Sequence, residues 1–315
     1  MTGSMFDTAH LELWAAFWGV VIALLFLDLA VFNKRAHRIT LKEAGIWSII
    51  WIAISLLFNL GVWWLLGDQP ALEFLTGYVV EKSLSVDNLF VFLVVFRFFG
   101  VDPKYQHRVL YWGVLGAIVL RTIMIFAGAV LVARFNWLLY VFGAILVISG
   151  IKLLVRKEEN VNPGNNLAVR LCRKVFPMTE EYHGQSFFVR EEGKLLATPM
   201  LLVLVTVEFT DVLFAVDSIP AVFGITQDAF IILTSNIFAI MGLRALYFLL
   251  AGIMDKFIYL QTGLAAVLTF IGVKMLIVRW IHIPTAMSLG IVALILALSI
   301  VLSLLLPRLN GERKS

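Results

Sequence analysis

Apolar residues run along this chain in long, nearly unbroken blocks, with polar residues gathered into short stretches between them. Blocks of about 18 or more mostly apolar residues are long enough to cross a hydrocarbon core as a helix. Nine are predicted: Leu11 to Phe32, Ala44 to Leu66, Ala71 to Phe98, Val109 to Ala133, Trp137 to Val155, Thr198 to Phe223, Ala229 to Gly252, Tyr259 to Val278 and Thr285 to Leu306. The predicted fold is therefore all-α and polytopic, a single transmembrane domain spanning 1–315. The first block follows an acidic leader without a small-residue cleavage site, and reads as a retained helix.

Charge orients the spans. Basic residues collect after the first span (Lys34, Arg35, Arg38, Lys42), the third (Lys104, Arg108), the fifth (Arg156, Lys157, Arg170, Arg173, Lys174) and at the tail (Arg308, Arg313, Lys314). Basic loops stay cytoplasmic, so the N-terminus is predicted outside and the C-terminus inside. The chain is 61% hydrophobic and 15% charged, with mean hydropathy +0.95, which excludes an ordinary water-soluble domain. Its net charge of +4 needs no nucleic-acid partner once the loops are accounted for. Cys172 is the sole cysteine, so an intrachain disulfide and a thiolate metal cluster are excluded.

Two triplets of spans share their polar residues. Glu81-Lys82-Ser83-Leu84-Ser85-Val86-Asp87-Asn88 corresponds to Asp211-Val212-Leu213-Phe214-Ala215-Val216-Asp217-Ser218, Leu120-Arg121 to Leu243-Arg244, and Gly150-Ile151-Lys152 to Gly272-Val273-Lys274. The triplets, at about 71–155 and 198–279, enter the membrane from opposite sides. They form an inverted repeat, a plan in which secondary transporters keep a midplane site between halves. Between them, 156–197 is predicted as a cytoplasmic loop. Within it Leu167 to Phe176 is a basic amphipathic helix suited to an anionic leaflet, and Phe187 to Leu195 is a small hairpin.

Away from their ends, the third and sixth predicted spans carry five carboxylates: Glu81, Asp87, Glu208, Asp211 and Asp217. Each costs about 2.5 to 3.5 kcal/mol at the centre of a membrane helix, so they face protein or water. At about 100° per residue, Glu81, Ser85 and Asn88 share one stripe, and Glu208, Asp211 and Ser218 another. Asp87 and Asp217 lie about 120° from Glu81 and Asp211; unwinding at Pro220, whose ring frees the Val216 carbonyl, would bring Asp217 round. These oxygen donors suit a hard divalent cation such as Mg²⁺, Ca²⁺ or Mn²⁺. Structural ion pairing with Lys82, Arg121 and Arg244 is the alternative, and it leaves two acids in excess. Lys152 and Lys274 are predicted to snorkel at helix ends. Asp28, Asn59 and Asn236 are further polar positions within spans, each readable as a packing hydrogen bond. His10, His37, His107, His183 and His282 fall at ends or in loops and read as surface histidines. Catalytic residues and a catalytic cofactor are not expected: the sequence has no H-E-x-x-H motif, no placed nucleophile and no phosphate-cradling loop.

The blocks Glu81 to Asn88, Glu208 to Ala221 and Thr234 to Arg244, with Lys42-Glu43-Ala44 before Trp47 and Phe187-Phe188-Val189-Arg190 before Ala197-Thr198-Pro199, resemble the TerC family of bacterial membrane proteins, most closely its Alx branch. The resemblance covers nearly the whole chain. It implies a role in metal-ion homeostasis, especially manganese export, with a link to tellurite resistance. It assigns the family's membrane acids to Glu81, Asp87, Glu208, Asp211 and Asp217 and its polar amide to Asn88. The expectation is a proton-coupled exporter of Mn²⁺ in the bacterial inner membrane, with Ser85, Arg121, Ser218, Pro220, Asn236 and Arg244 in support. A transporter of another hard cation such as Ca²⁺, a channel, and a non-transporting partner that loads metal onto secreted enzymes are the competing expectations.

Overall fold

The computed structural model describes residues 8–32, 40–155, 167–191, 193–251, 259–281 and 283–305. It divides into two units, 1–38 and 39–315. The first contributes α1 (Thr8–Phe32), a continuous apolar helix. The second holds α2 (Leu41–Leu66), α3 (Asp68–Phe98), α4 (Pro103–Arg134), α5 (Leu138–Val155), α6 (Leu167–Val175), β1 (Phe188–Glu191), β2 (Lys194–Ala197), α7 (Pro199–Phe223), α8 (Ala229–Met241), α9 (Leu243–Ala251), α10 (Leu260–Ile277) and α11 (Thr285–Leu305).

Local chemistry sets the helix starts. The Thr40 hydroxyl accepts from Glu43 N at 3.3 Å, opening α2, and Asp102 accepts from Lys104 N at 3.0 Å with Pro103 as the first residue of α4. Asp228 accepts from Phe230 N at 2.8 Å and opens α8. Each side-chain oxygen satisfies a donor that the first helical turn leaves unpaired. Gly67, at φ 93°, makes the one-residue turn from α2 into α3 in a region where a side chain would be strained.

Seven helices (α1, α2, α4, α5, α7, α10, α11) are long and apolar enough to cross a membrane, and an eighth crossing results if α8 and α9 form one span. That pair is bent by 43° at Gly242, where sequence pattern alone suggests one straight helix. α3 spans 31 residues, but every stretch of 18 within it carries at least three charged side chains, so composition does not count it as a span. α7 corrects another expectation, because it continues through Pro220 to Phe223 without unwinding. The proline sits in the last turn, where losing one backbone donor leaves only the Val216 carbonyl without its bond and the helix is about to end.

α8 lies at the centre, with all thirteen of its residues buried. α3 packs against α8 and α7, α4 against α7 and α8, and α5 against α10 over the longest contact in the unit. The α5–α10 crossing is close because glycines line it. A Cβ on Gly143 would lie 3.0 Å from the Gly272 carbonyl oxygen, and one on Gly150 would lie 2.8 Å from that of Ala265. Leu57, Trp64, Leu294 and Leu305 are exposed on α2 and α11, the distribution of a bundle whose solvent is lipid. Hydroxyls within the helices mostly donate to the carbonyl four residues earlier, as Ser55 does to Trp51 (2.8 Å) and Thr210 to Thr206 (2.7 Å), so their polarity is met inside one helix.

The loop between α5 and α7 contains both predicted elements. α6 is basic in its last turn and buries Val169 and Cys172 against Leu202 of α7. β1 and β2 pair antiparallel with Glu191 opposite Lys194, turning at Gly193 (φ 79°).

Candidate functional site

Arg121, on α4, is completely buried. Its Nε donates to Asp211 Oδ2 at 3.0 Å and its Nη2 to Asp211 Oδ1 at 2.8 Å, a bidentate pair between α4 and α7. Its Nη1 donates to Glu81 Oε1 on α3, and lies 3.4 Å from Ser218 Oγ and 3.5 Å from Asn236 Oδ1. One guanidinium thus joins α3, α4, α7 and α8 through five planar donors in a fixed fork. Glu81, Asp211, Ser218 and Asn236 are all 3% exposed or less. The two stripes inferred from helical spacing meet on this arginine.

The cluster is incompletely satisfied. Glu81 Oε2, Glu208 Oε2 and Asn236 Nδ2 are buried without a hydrogen-bond partner, an uncommon condition for polar atoms away from water. Glu208 lies one turn before Asp211 on α7, and its carboxylate rests against Gly116 of α4, where a Cβ would collide with it. With Glu81, Asp211 and Glu208 ionised against Arg121, the group carries an excess of two negative charges. Ser85 is buried beside them, its hydroxyl turned back to the Glu81 carbonyl at 2.7 Å, and Asn88 is buried one turn further along α3.

The other acids part company. Asp217 accepts from Ser149 Oγ of α5 at 2.6 Å, on a different face of α7 from Asp211, as the 120° offset requires. Asp87 lies on α3, and its side chain is outside the described residues. Among the described residues no three acids, histidines or cysteines converge as a ready metal cage; the guanidinium stands between Glu81 and Asp211 instead.

The basic residues also separate. Lys82 donates to the Ala239 carbonyl at 3.1 Å, meeting the C-terminal end of α8 and its partial negative charge rather than an acid. Gly242 makes room for it, since a Cβ there would lie 2.6 Å from Nζ. Arg244, buried on α9, sits 6.0 Å from the ring of Tyr111. It lines a small cavity together with Asp211, Gly113, Val114 and Leu243.

At the end of the bundle formed by the start of α3, the ends of α7 and α10 and the start of α11 is a cavity of about 460 Å³. Gln69, Glu73, Thr226, Gln227, Lys274 and Thr285 supply its polar wall. Gln69 Nε2 donates to Glu73 Oε1 at 2.8 Å and to Thr285 Oγ1 at 3.0 Å, orienting the carboxylate. Lys274 was expected to snorkel; it lines this vestibule within electrostatic reach of Glu73, because α10 ends at Ile277 beside the cavity rather than at a lipid-facing rim. Glu73 lies two turns before Glu81 on α3, about 12 Å along the axis.

Of the remaining polar positions, Asn59 on α2 has a buried Oδ1 without a partner, and Asp28 belongs to α1 in the other unit. His107 is buried, not at the surface, because α4 begins at Pro103, ahead of the hydropathy signal. His183 is partly exposed, 3.2 Å from Glu191. His37 and His282 lie outside the described residues, as does the side chain of His10. Sequence reasoning missed Ser149, Gly116, Gly242 and Glu73. The first three are small residues whose importance comes from what a neighbouring helix brings to them, and Glu73 sits in an end region that reads as a boundary.

Comparison with known proteins agrees over most of the chain. The "Integral membrane protein TerC family" matches residues 66–310. The Salmonella typhi protein named "Putative membrane-bound redox modulator Alx" is 53% identical over 300 residues, covering 92% of this chain and 93% of that one. The Myxococcus xanthus "Uncharacterized membrane protein STKORF319" is 51% identical over 296 residues, 94% and 93% of the two chains. A Rickettsia bellii membrane protein is 40% identical over 292 residues, 93% and 97% of the two. No solved structure matches. Multi-pass helices and this extent of identity make the chain a member of the TerC family of integral membrane proteins.

Proposed function

We propose that the chain is a secondary transporter of the bacterial inner membrane that exports a divalent metal ion, Mn²⁺ by preference, through the Glu81–Asp211 centre in exchange for protons. The observation that carries this reading is three carboxylates gathered against one buried arginine, with Glu81 Oε2 and Glu208 Oε2 left unpaired. A doubly charged cargo would balance the acids left over from Arg121 as they ionise, and carboxylate, amide and hydroxyl oxygens suit a hard cation. Clustered carboxylates raise one another's proton affinity and release protons as metal enters, which makes protons the natural counter-ion.

The inverted repeat, with α3 as a ninth crossing, is part of the proposal and has support in the packing. Aligning Gly150 with Gly272 pairs Gly143 with Ala265, so the Gly143–Gly272 contact has the Gly150–Ala265 contact as its symmetric partner, and both are present. Packing of α3 on α8 and of α4 on α7 is related in the same way. In this reading the 460 Å³ vestibule faces outside, the side on which the positive-inside pattern leaves the start of α3.

Redox activity, suggested by the name of the Alx relatives, draws no support from thiol chemistry in this chain. Cys172 is the only cysteine, and burial against α7 pushes its thiol above the ordinary range, which lowers its reactivity.

The test is flux into proteoliposomes carrying the purified full chain, with Mn²⁺, Ca²⁺, Mg²⁺ and Zn²⁺ under proton gradients of either sign. Saturable Mn²⁺ flux that follows the proton gradient is expected. Flux of none of the four, as a non-transporting partner would give, overturns the proposal.

A further inference from the structure

The vestibule carries two opposite charges that do not meet. Glu73 on α3 and Lys274 on α10 both line it and lie within each other's field, yet among the described residues neither forms an ion pair. Glu73 is held through one oxygen. Its Oε1 accepts from the Gln69 amide, which also donates to the Thr285 hydroxyl, so the carboxylate is fixed in place and still has an oxygen to offer. Between the carboxylate and the ammonium lies a cavity of about 460 Å³, a volume within the range of sites that enclose a small ligand. A group with a positive and a negative charge in series would complete both.

The depth of the cavity narrows the choice. It is bounded by the starts of α3, α5 and α11 and the ends of α7 and α10. Trp63 and Trp64 at the end of α2, Trp137 just before α5 and Trp280 just after α10 belong to the same end of the bundle, and all four are between 52% and 81% exposed. Tryptophan gathers where a membrane meets water, at the level of the lipid headgroups. On the α10 side the rim is apolar, with Val278 45% and Ile281 57% exposed. Charged groups inside and an apolar lip at headgroup depth match a molecule with a polar head and acyl chains.

Going beyond the transport reading, and whatever the cargo, we propose that the vestibule seats the headgroup of a zwitterionic phospholipid that bears a primary ammonium, with the ammonium on Glu73, the phosphate on Lys274 and the acyl chains leaving over Val278 and Ile281. Site and headgroup each sum to zero charge, and each protein charge meets its opposite through a charge-assisted hydrogen bond. Rejection of other lipids follows from the same two residues. A glycerol headgroup brings a phosphate to the cavity with no cation for Glu73. A trimethylated ammonium has no N–H to donate to it.

The experiment adds an equimolar mixture of phosphatidylethanolamine, phosphatidylcholine and phosphatidylglycerol to the purified full chain in detergent and counts the lipids retained by native mass spectrometry. Phosphatidylethanolamine is expected to exceed each of the others about 10-fold or more, the scale of one charge-assisted hydrogen bond. Glu73→Gln should abolish the preference over phosphatidylglycerol, and Lys274→Gln should lower retention of all three. Equal retention of the three by the wild-type chain, or an unchanged pattern in both variants, overturns the proposal. Glycerophosphoethanolamine, the same headgroup without chains, should fail to displace the lipid even in large excess; displacement would make the occupant a water-soluble zwitterion and overturn the assignment to lipid. If the variants do not fold, the wild-type chain decides with phosphatidylethanolamine carrying a photoreactive group near the start of its acyl chain: crosslinks at Val278 or Ile281 uphold the site, and crosslinks confined elsewhere overturn it. None of these measurements depends on cation flux, so failure of the transport reading and failure of the lipid site are read separately.

Discussion

Arg121 holds Asp211 by two nearly parallel hydrogen bonds, Nε to Oδ2 at 3.0 Å and Nη2 to Oδ1 at 2.8 Å, and reaches Glu81 with the nitrogen left over. A lysine has one point of charge and no fork, so Arg121→Lys cannot serve both acids in this geometry. Arg121→Ala leaves two buried carboxylates without compensation, a loss of about 3–5 kcal/mol for a buried pair. Thermal unfolding in detergent should rank the proteins wild type, Arg121→Lys, Arg121→Ala. Equal midpoints would remove the arginine from the architecture of the centre.

The seat of Glu208 is Gly116. A methyl group there occupies the volume of the carboxylate, so Gly116→Ala should expel Glu208 from its place beside Asp211. The expected result is a drop of about tenfold or more in Mn²⁺ flux, the effect of misplacing a binding group by about 1 Å, in a protein still inserted and monodisperse. Gly113→Ala is the matched control, since a Cβ there meets Val207 at an ordinary 3.4 Å. Equal flux in the two variants would count against a role for Glu208.

Asp217 is served by Ser149 from α5, not by the arginine centre. Ser149→Ala removes that donor while leaving Glu81 and Asp211 untouched. It should change the rate of transport with little effect on the apparent affinity for Mn²⁺, whereas Asp211→Asn should weaken the affinity itself. Saturation curves for the two variants separate a residue that lines the route from one that holds the cargo.

On the loop, the Tyr182 hydroxyl donates to the Phe99 carbonyl at the end of α3 at 2.6 Å, and burial pushes its pKa up to about 12. Because the folded value lies above the ordinary value near 10, this contact is fully present below about pH 10 and is lost as pH rises toward 12. Tyr182→Phe should therefore increase cleavage of the β1–β2 segment by added protease at neutral pH, and that increase should disappear at strongly alkaline pH. A constant difference across the range would show that the phenol does not anchor the loop.

Much of this arrangement is legible in the sequence for a simple reason: membrane helices are written in hydropathy, and charged residues inside them are too costly to be incidental. Glu81, Asp211, Glu208 and Arg121 stand out on that ground. What sequence hides is whatever depends on a neighbouring helix. A wheel separates Asp217 from Asp211 by angle but cannot name Ser149 as what it turns toward. Gly242 looks like any glycine in an apolar run until Lys82 is seen to need the space. Pro220 reads as a break, yet its position one turn from the end of α7 makes that break unnecessary. Arg121 was one of three bases available to balance the acids, and only packing reveals that it alone among the described bases bridges Glu81 and Asp211.

The wholly buried α8 has a bearing on how the chain crosses the membrane. Its thirteen residues extend about 20 Å, short of the roughly 30 Å that a helix must cross to rest alone in hydrocarbon. It carries Asn236, Ser235 and Thr234 at full burial, and its partners α3, α4 and α7 all precede it in the chain. α8 alone is thus too short to cross, so a crossing here needs α9 as its continuation, and the Glu81–Arg121–Asp211 bridge is built around a helix whose buried polar residues depend on α3, α4 and α7 to surround them.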